Sequence, residues 1–285
     1  MSGPLPSLSM GRLRAALARA VLAAACAAAA PPASAAFLHE FPRAPVAVEL
    51  HPRGDRPFTL DQLERALGQG VHAAELDLRE RRADGTVVCA HRLRDVASAP
   101  TLDDALDAVF RRQGSAATVQ NDGAQFFLFL DLKEETPGLH RGLIRALEAR
   151  AGRLSTAAHP PPFPRPVTVV ITGFRKALER AIPSSALDTL CIVEGRSYGS
   201  RVRNLSAGDG RFQWIALESP VDRSRVRDLH EGRDRRARGR FNVRIVAAHG
   251  LLRRAVESGA DAVNADPDQV EEAIRLAARS RRVGR

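Results

Sequence analysis

Glu75-Leu76-Asp77-Leu78-Arg79-Glu80-Arg81-Arg82-Ala83-Asp84-Gly85-Thr86-Val87-Val88-Cys89-Ala90-His91 is the stretch that decides the fold and locates its chemistry. Side chains alternate faces along a strand, so a strand over 73–78 puts Glu75 and Asp77 on one face and Leu76 and Leu78 on the other. Two carboxylates side by side repel unless a cation sits between them, which points to a metal site or an acid/base pair. Asp84-Gly85 predicts a hairpin turn, and Thr86–Ala90 a returning strand that carries His91 back beside the carboxylates. Each half alone also reads as an edge strand in water and a surface histidine; the combination argues for a site.

Outward from this stretch, strand-like runs recur at Val46–Leu50, Ala73–Leu78, Thr86–Ala90, Phe126–Leu132, Val167–Thr172, Leu190–Glu194, Phe212–Leu217, Val243–Ala247 and Ala262–Ala265. Helical patterns lie between most of them, among them Leu60–Gly68, Leu102–Arg112, Leu139–Arg150 and Leu251–Ser258. Strands alternating with helices predict a parallel sheet with helical crossovers. The gap between Leu78 and Thr86 is too short for a parallel crossover, so Thr86–Ala90 pairs antiparallel with its predecessor and eight parallel strands remain. The expected fold is an α/β (β/α)8 TIM barrel, a single domain over residues 36–285. Ser155–Pro166, with its prolines, and Gly195–Gly210, with four glycines and Tyr198, read as loops within it.

Residues 1–35 carry Arg12, Arg14 and Arg19, an apolar run from Ala20 to Ala30, and then small residues. That order is a signal peptide, too short to span a bilayer, and it predicts export to the periplasm or the medium. Cys26 inside the run is a poor fit to lipid attachment. The leader's three arginines account for three of the net charges of +10. Basic character suggests contact with anionic membrane surfaces. The run from Arg233 to Arg240 has no interleaved aromatics, so it reads as a solvated helix end and nucleic acid is not expected. Cys89 and Cys191 lie in strand-like segments, where a disulfide and free buried thiols are equally ordinary.

Barrel active sites lie at the C-terminal ends of the strands. His51, the Glu75/Asp77 pair, and Asp131 with Lys133 all fall at such ends. Asp131 and Lys133 follow Phe126-Phe127-Leu128-Phe129-Leu130, so they are the charges of a deeply apolar strand and need a partner. An internal Asp131–Lys133 ion pair satisfies that need; so does a metal. Glu75, Asp77 and Asp131 offer oxygen ligands suited to Mg2+ or Ca2+, while inclusion of His51 and His91 suits zinc or manganese. Glu194 reads as a partner for one of the arginines, and Trp214 as a core residue rather than a pocket wall.

The order His51, Glu75-x-Asp77, Asp84-Gly85 leading to His91, and Asp131-x-Lys133 resembles the superfamily of phosphatidylinositol-specific phospholipases C and glycerophosphodiester phosphodiesterases. Within it the chain is similar to the phospholipase C-like group named after the yeast altered-inheritance-of-mitochondria protein 6. That group's His-Asn-Asp segment and Arg-Pro are echoed in His51-Pro52-Arg53-Gly54-Asp55-Arg56-Pro57, with Pro52 and Arg53 where the group has Asn and Asp. Its Glu-Ala-Asp is echoed by Glu75-Leu76-Asp77, its Asp-x-Lys by Asp131-Leu132-Lys133, and its Thr-Gly strand end by Thr172-Gly173. Val243-Arg244-Ile245 and Gly259 to Asp266 resemble its last two strands, with Ala265-Asp266 where Thr-Asp is common. The resemblance implies a phosphodiesterase with a divalent metal on Glu75, Asp77 and Asp131. His51 and His91 are then general base and acid, Lys133 a phosphoryl-side cation, and the substrate a small-molecule or lipid phosphodiester handled by a monomer. A glycerophosphodiester phosphodiesterase proper and a catalytically decayed barrel that binds anionic ligands or a partner are the alternatives.

Overall fold

A computed structural model of the chain describes residues 47–51, 56–114, 116, 118–120, 124–155, 165–174, 192–196, 205–206, 212–218, 220–235, 237–238, 241–246 and 250–283. The leader with Cys26, the segment Pro52 to Asp55, Cys191, Tyr198 and the side chain of Glu194 lie outside them. No helix among the described residues is long and apolar enough to cross a membrane.

Among the described residues, twelve strands run in chain order: β1 (Ala47–Leu50), β2 (Ala73–Arg81), β3 (Thr86–Cys89), β4 (Phe126–Leu132), β5 (Leu154–Ser155), β6 (Val167–Gly173), β7 (Ile192–Arg196), β8 (Leu205–Ser206), β9 (Phe212–Glu218), β10 (Ala237–Arg238), β11 (Asn242–Val246) and β12 (Ala262–Ala265). Eight of them pair in parallel in the order β1-β2-β4-β6-β7-β9-β11-β12. β12 then pairs with β1, which closes the ring. The barrel is therefore the expected one. β3 is the surplus strand, antiparallel to β2 with Arg81 opposite Thr86. Its turn holds because Gly85 takes φ 71° and Asp84 Oδ1 accepts from the Thr86 amide at 2.9 Å.

The loop reading of 195–210 needs one correction. Gly195 and Arg196 continue β7, and Leu205–Ser206 pairs in parallel with Ala237–Arg238 as a small sheet apart from the barrel. Two-residue strands leave too short a pattern to be read from sequence.

The helices are α1 (Leu60–Gln69), α2 (Leu102–Gln113), α3 (Pro137–Glu148), α4 (Arg223–Glu231), α5 (Leu252–Glu257) and α6 (Val270–Val283). Thr59 and Thr101 open the first two with capping boxes completed by Gln62 and Asp104. α3 begins two residues before its apolar stripe because Thr136 caps it and Pro137 occupies the first turn, where a missing N–H costs nothing. Apolar residues at helical spacing, such as Leu63, Ala66 and Leu67 or Leu139, Leu143 and Leu147, join the outer faces of the strands in one large core.

The inner face is different. Ala47, Ala73, Phe127, Phe129, Val170, Trp214 and Ala262 form a second, smaller cluster that fills the lumen. Trp214 packs on Phe127 and Phe129 with ring centroids 5.2 and 5.3 Å away, and it is core as expected. This plug leaves the polar residues at the mouth above it. Phe127→Ala is expected to cost about 3–5 kcal/mol in denaturant unfolding, whereas Leu93→Ala, at a position 69% exposed, stays within about 0.5 kcal/mol.

Candidate active site at the barrel mouth

Strand register assembles the site. Asp77 on β2 lies directly beside Asp131 on β4, which lies beside Thr172 on β6. Period two then puts Glu75 and Asp77 on the lumen face, and Asp131 and Lys133 with them. Among the described residues, Glu75, Asp77 and Asp131 are the group whose donor atoms all lie within 4.8 Å of one another. The two histidines stand outside that group, whose candidate donor atoms are all oxygen. His51 Nε2 is 3.9 Å from Glu75 Oε2, and His91 Nδ1 is 2.6 Å from Asp77 Oδ2.

His91 arrives there by backbone geometry. The Ala90 amide donates to the Asp77 carbonyl at 2.7 Å, carrying the hairpin ladder past β3. Arg79 donates twice to the His91 carbonyl, at 3.1 and 2.9 Å. The imidazole is thus held from both ends while its side chain stays 46% exposed. His51 follows β1 directly, its amide donating to the Ala265 carbonyl at 3.0 Å. All six residues singled out from sequence therefore converge on one end of the barrel.

Lys133 answers the question that the Asp131-x-Lys133 pair posed. Its Nζ lies 2.5 Å from Asp131 Oδ2 and 2.8 Å from Asp77 Oδ1, so it bridges carboxylates from two strands. Burial pulls its pKa down, but Asp131 and Asp77 outweigh burial and leave it raised above the ordinary lysine value. The ammonium stays charged.

Glu75 has a second cation that sequence reading missed. Arg244 of β11, itself buried, places Nη1 2.6 Å from Glu75 Oε2 and 2.7 Å from Glu49 Oε1, and Glu49 lies in the lumen on β1. Burial alone would raise the Glu75 carboxyl, yet Arg244, with smaller contributions from His51, a side-chain hydrogen bond with Glu49, and Lys133, holds it far below the usual carboxylate range. Period two carries a faint signal of both residues. Glu49 lies two before His51, and Asn242 and Arg244 alternate with Val243 and Ile245.

A divalent cation fits this donor set. Among the described residues, four carboxylates, Glu49, Glu75, Asp77 and Asp131, are tied together by two cations, Arg244 and Lys133. The formal excess of two negative charges and the all-oxygen ligands match a hard divalent ion.

Cys89 is a free, buried thiol whose Sγ donates to the Thr101 carbonyl at 3.8 Å. Burial, then the charge of Asp77, pushes its pKa up, which makes it inert.

Comparison with solved structures places the fold. The chain is similar to a glycerophosphodiester phosphodiesterase from Parabacteroides distasonis, with a TM-score of 0.50 and 17% identity over 82% of this chain and 97% of that one. It is also similar to a calcium-dependent phosphoinositol-specific phospholipase C from a Pseudomonas species, with a TM-score of 0.54 and 13% identity over 85% and 95% of the two chains. The TIM-barrel fold is thus shared with these two structures. No protein-family model and no curated protein matches the sequence.

Gly173 shows how tightly the mouth is built. It takes φ +81°, and a Cβ there would sit 2.1 Å from Asp131 Oδ1 and 2.4 Å from the Leu132 carbonyl oxygen. Gly173→Ala is expected to lower the melting temperature and to displace Asp131, with calorimetry and divalent-cation titration as the two readouts.

Proposed function

We propose that this chain is an exported phosphodiesterase that cleaves a glycerophosphodiester or a phospholipid headgroup, with His51 and His91 as its proton-transfer pair. The observation that carries this reading is the placement of two imidazoles beside one buried carboxylate cluster, at the end of a barrel shared with two solved phosphodiesterases. Histidine titrates near neutral pH, which suits it to giving and taking protons there.

In this reading His51 takes the proton from the attacking hydroxyl as the new P–O bond forms. His91 gives a proton to the leaving oxygen as its P–O bond breaks. Asp77 fixes the His91 ring through Nδ1, which leaves Nε2 for the substrate. Lys133 sets positive charge next to the phosphoryl position while holding Asp77 and Asp131 together. Glu75, Asp77 and Asp131 would hold Mg2+ or Ca2+, which when bound supplies Lewis-acid stabilisation of charge on a phosphoryl oxygen. The leader sequence supports export, and the basic surface supports contact with anionic lipid.

One observation favours a second reading. Lys133 and Arg244 already neutralise part of the cluster, as they would in a catalytically decayed barrel that carries no metal.

Hydrolysis of bis(p-nitrophenyl) phosphate by the purified chain separates the two readings. Turnover is expected to vanish with EDTA, to return with Mg2+ or Ca2+, and to fall by at least about a hundredfold in His91→Ala, whose melting temperature stays near that of the parent. Full activity in His91→Ala overturns the proton-transfer assignment.

A further inference from the structure

The proposed reaction leaves Glu49 and Arg244 without a task, although they are among the most deeply buried charges described, at 0% and 1% exposure. One guanidinium nitrogen is divided between two carboxylates, Glu49 at 2.7 Å and Glu75 at 2.6 Å. The ring of Phe129 lies 4.2 Å from the guanidinium carbon and covers one of its faces. Glu49 is fixed from another side by Asn264, whose amide nitrogen, in the orientation that satisfies both of its ends, donates at 2.9 and 3.0 Å. Glu49 is fully enclosed, so it does not reach a substrate. Through Arg244, and through a side-chain hydrogen bond of its own, it reaches Glu75, a residue of the candidate metal site.

We propose that Glu49 is a positioning residue that sets the site's affinity for a divalent cation by drawing Arg244 partly away from Glu75. The inference rests on the reading that Glu75, Asp77 and Asp131 hold a cation. In a low-dielectric lumen a guanidinium paired one-to-one with Glu75 would compete with a metal for the same carboxylate. Shared between two carboxylates, Arg244 fixes the orientation of Glu75 and neutralises the triad less than a one-to-one pair would, which after Lys133 would leave a formal excess of only one negative charge. Glu49 thus supplies charge to the site from below without touching its contents.

Titration calorimetry with Mg2+ and Ca2+ on the full chain tests this without any substrate. Glu49→Gln is isosteric and keeps an oxygen for Asn264, yet it is expected to weaken cation binding by at least about tenfold. The double variant Glu49→Gln/Arg244→Gln removes the competing guanidinium as well and is expected to return affinity to within about threefold of the parent. Near-UV circular dichroism confirms the fold of each variant, and the single variant decides the matter if the double one does not fold. An unchanged affinity in Glu49→Gln overturns the proposal. A double variant that is folded and weaker than the single one also overturns it, because damaged packing rather than charge is then the cause. A parent chain that binds neither cation removes the metal reading itself, a result distinct from both.

Discussion

Charge buried inside a closed barrel is the constraint on which this structure depends. Glu49, Glu75, Asp77 and Asp131 all point into a lumen whose floor is phenylalanine, tryptophan, valine and alanine. Carboxylates in such a place destabilise the fold unless cations and hydrogen bonds answer them. Two cations do, each spread over two carboxylates on different strands: Lys133 over Asp77 and Asp131, Arg244 over Glu49 and Glu75. Arg244 thereby ties β11 to β1 and β2 across the lumen. The polar interior is thus a cross-brace of the barrel as well as a site.

The architecture supplies the rest by simple geometry. Parallel strands in register bring residues of equal height together, so two motifs distant in sequence become neighbours at one end. The hairpin β2–β3 breaks the parallel rule and returns His91 to the level of Asp77. Gly173 clears the space that Asp131 occupies. The aromatic plug confines the polar groups to the upper half of the lumen, where exposed imidazoles meet buried carboxylates. Low dielectric strengthens every interaction there.

Much of this was legible in the chain because it is written at short range. Period-two alternation marked β2 and β4 and put Glu75 with Asp77 and Asp131 with Lys133. The length of the gap after Leu78 told the antiparallel strand from the eight parallel ones. Capping threonines and apolar stripes marked the helices, although the start of α3 was set by Thr136 and Pro137, which carry no apolar signal. The brace of Glu49 and Arg244 was not legible. Its partners are 195 residues apart, and only closure of β12 onto β1 makes them neighbours. Locally Glu49 is one charge in a short apolar strand and Arg244 one arginine among many. The same limit applied to Lys133: its pairing with Asp131 lay within one strand and stood as one of two alternatives, while its pairing with Asp77 needed the sheet.

Where a divalent ion sits is the most direct test of this account. A crystal of the chain soaked in Mn2+ and measured at the manganese absorption edge reports the ion's position independently of any assay. The account predicts one dominant anomalous peak among the carboxylates of Glu75, Asp77 and Asp131, lost in Asp77→Asn. A well-ordered mouth with no peak, or a peak elsewhere with Lys133 still seated between Asp77 and Asp131, would contradict it.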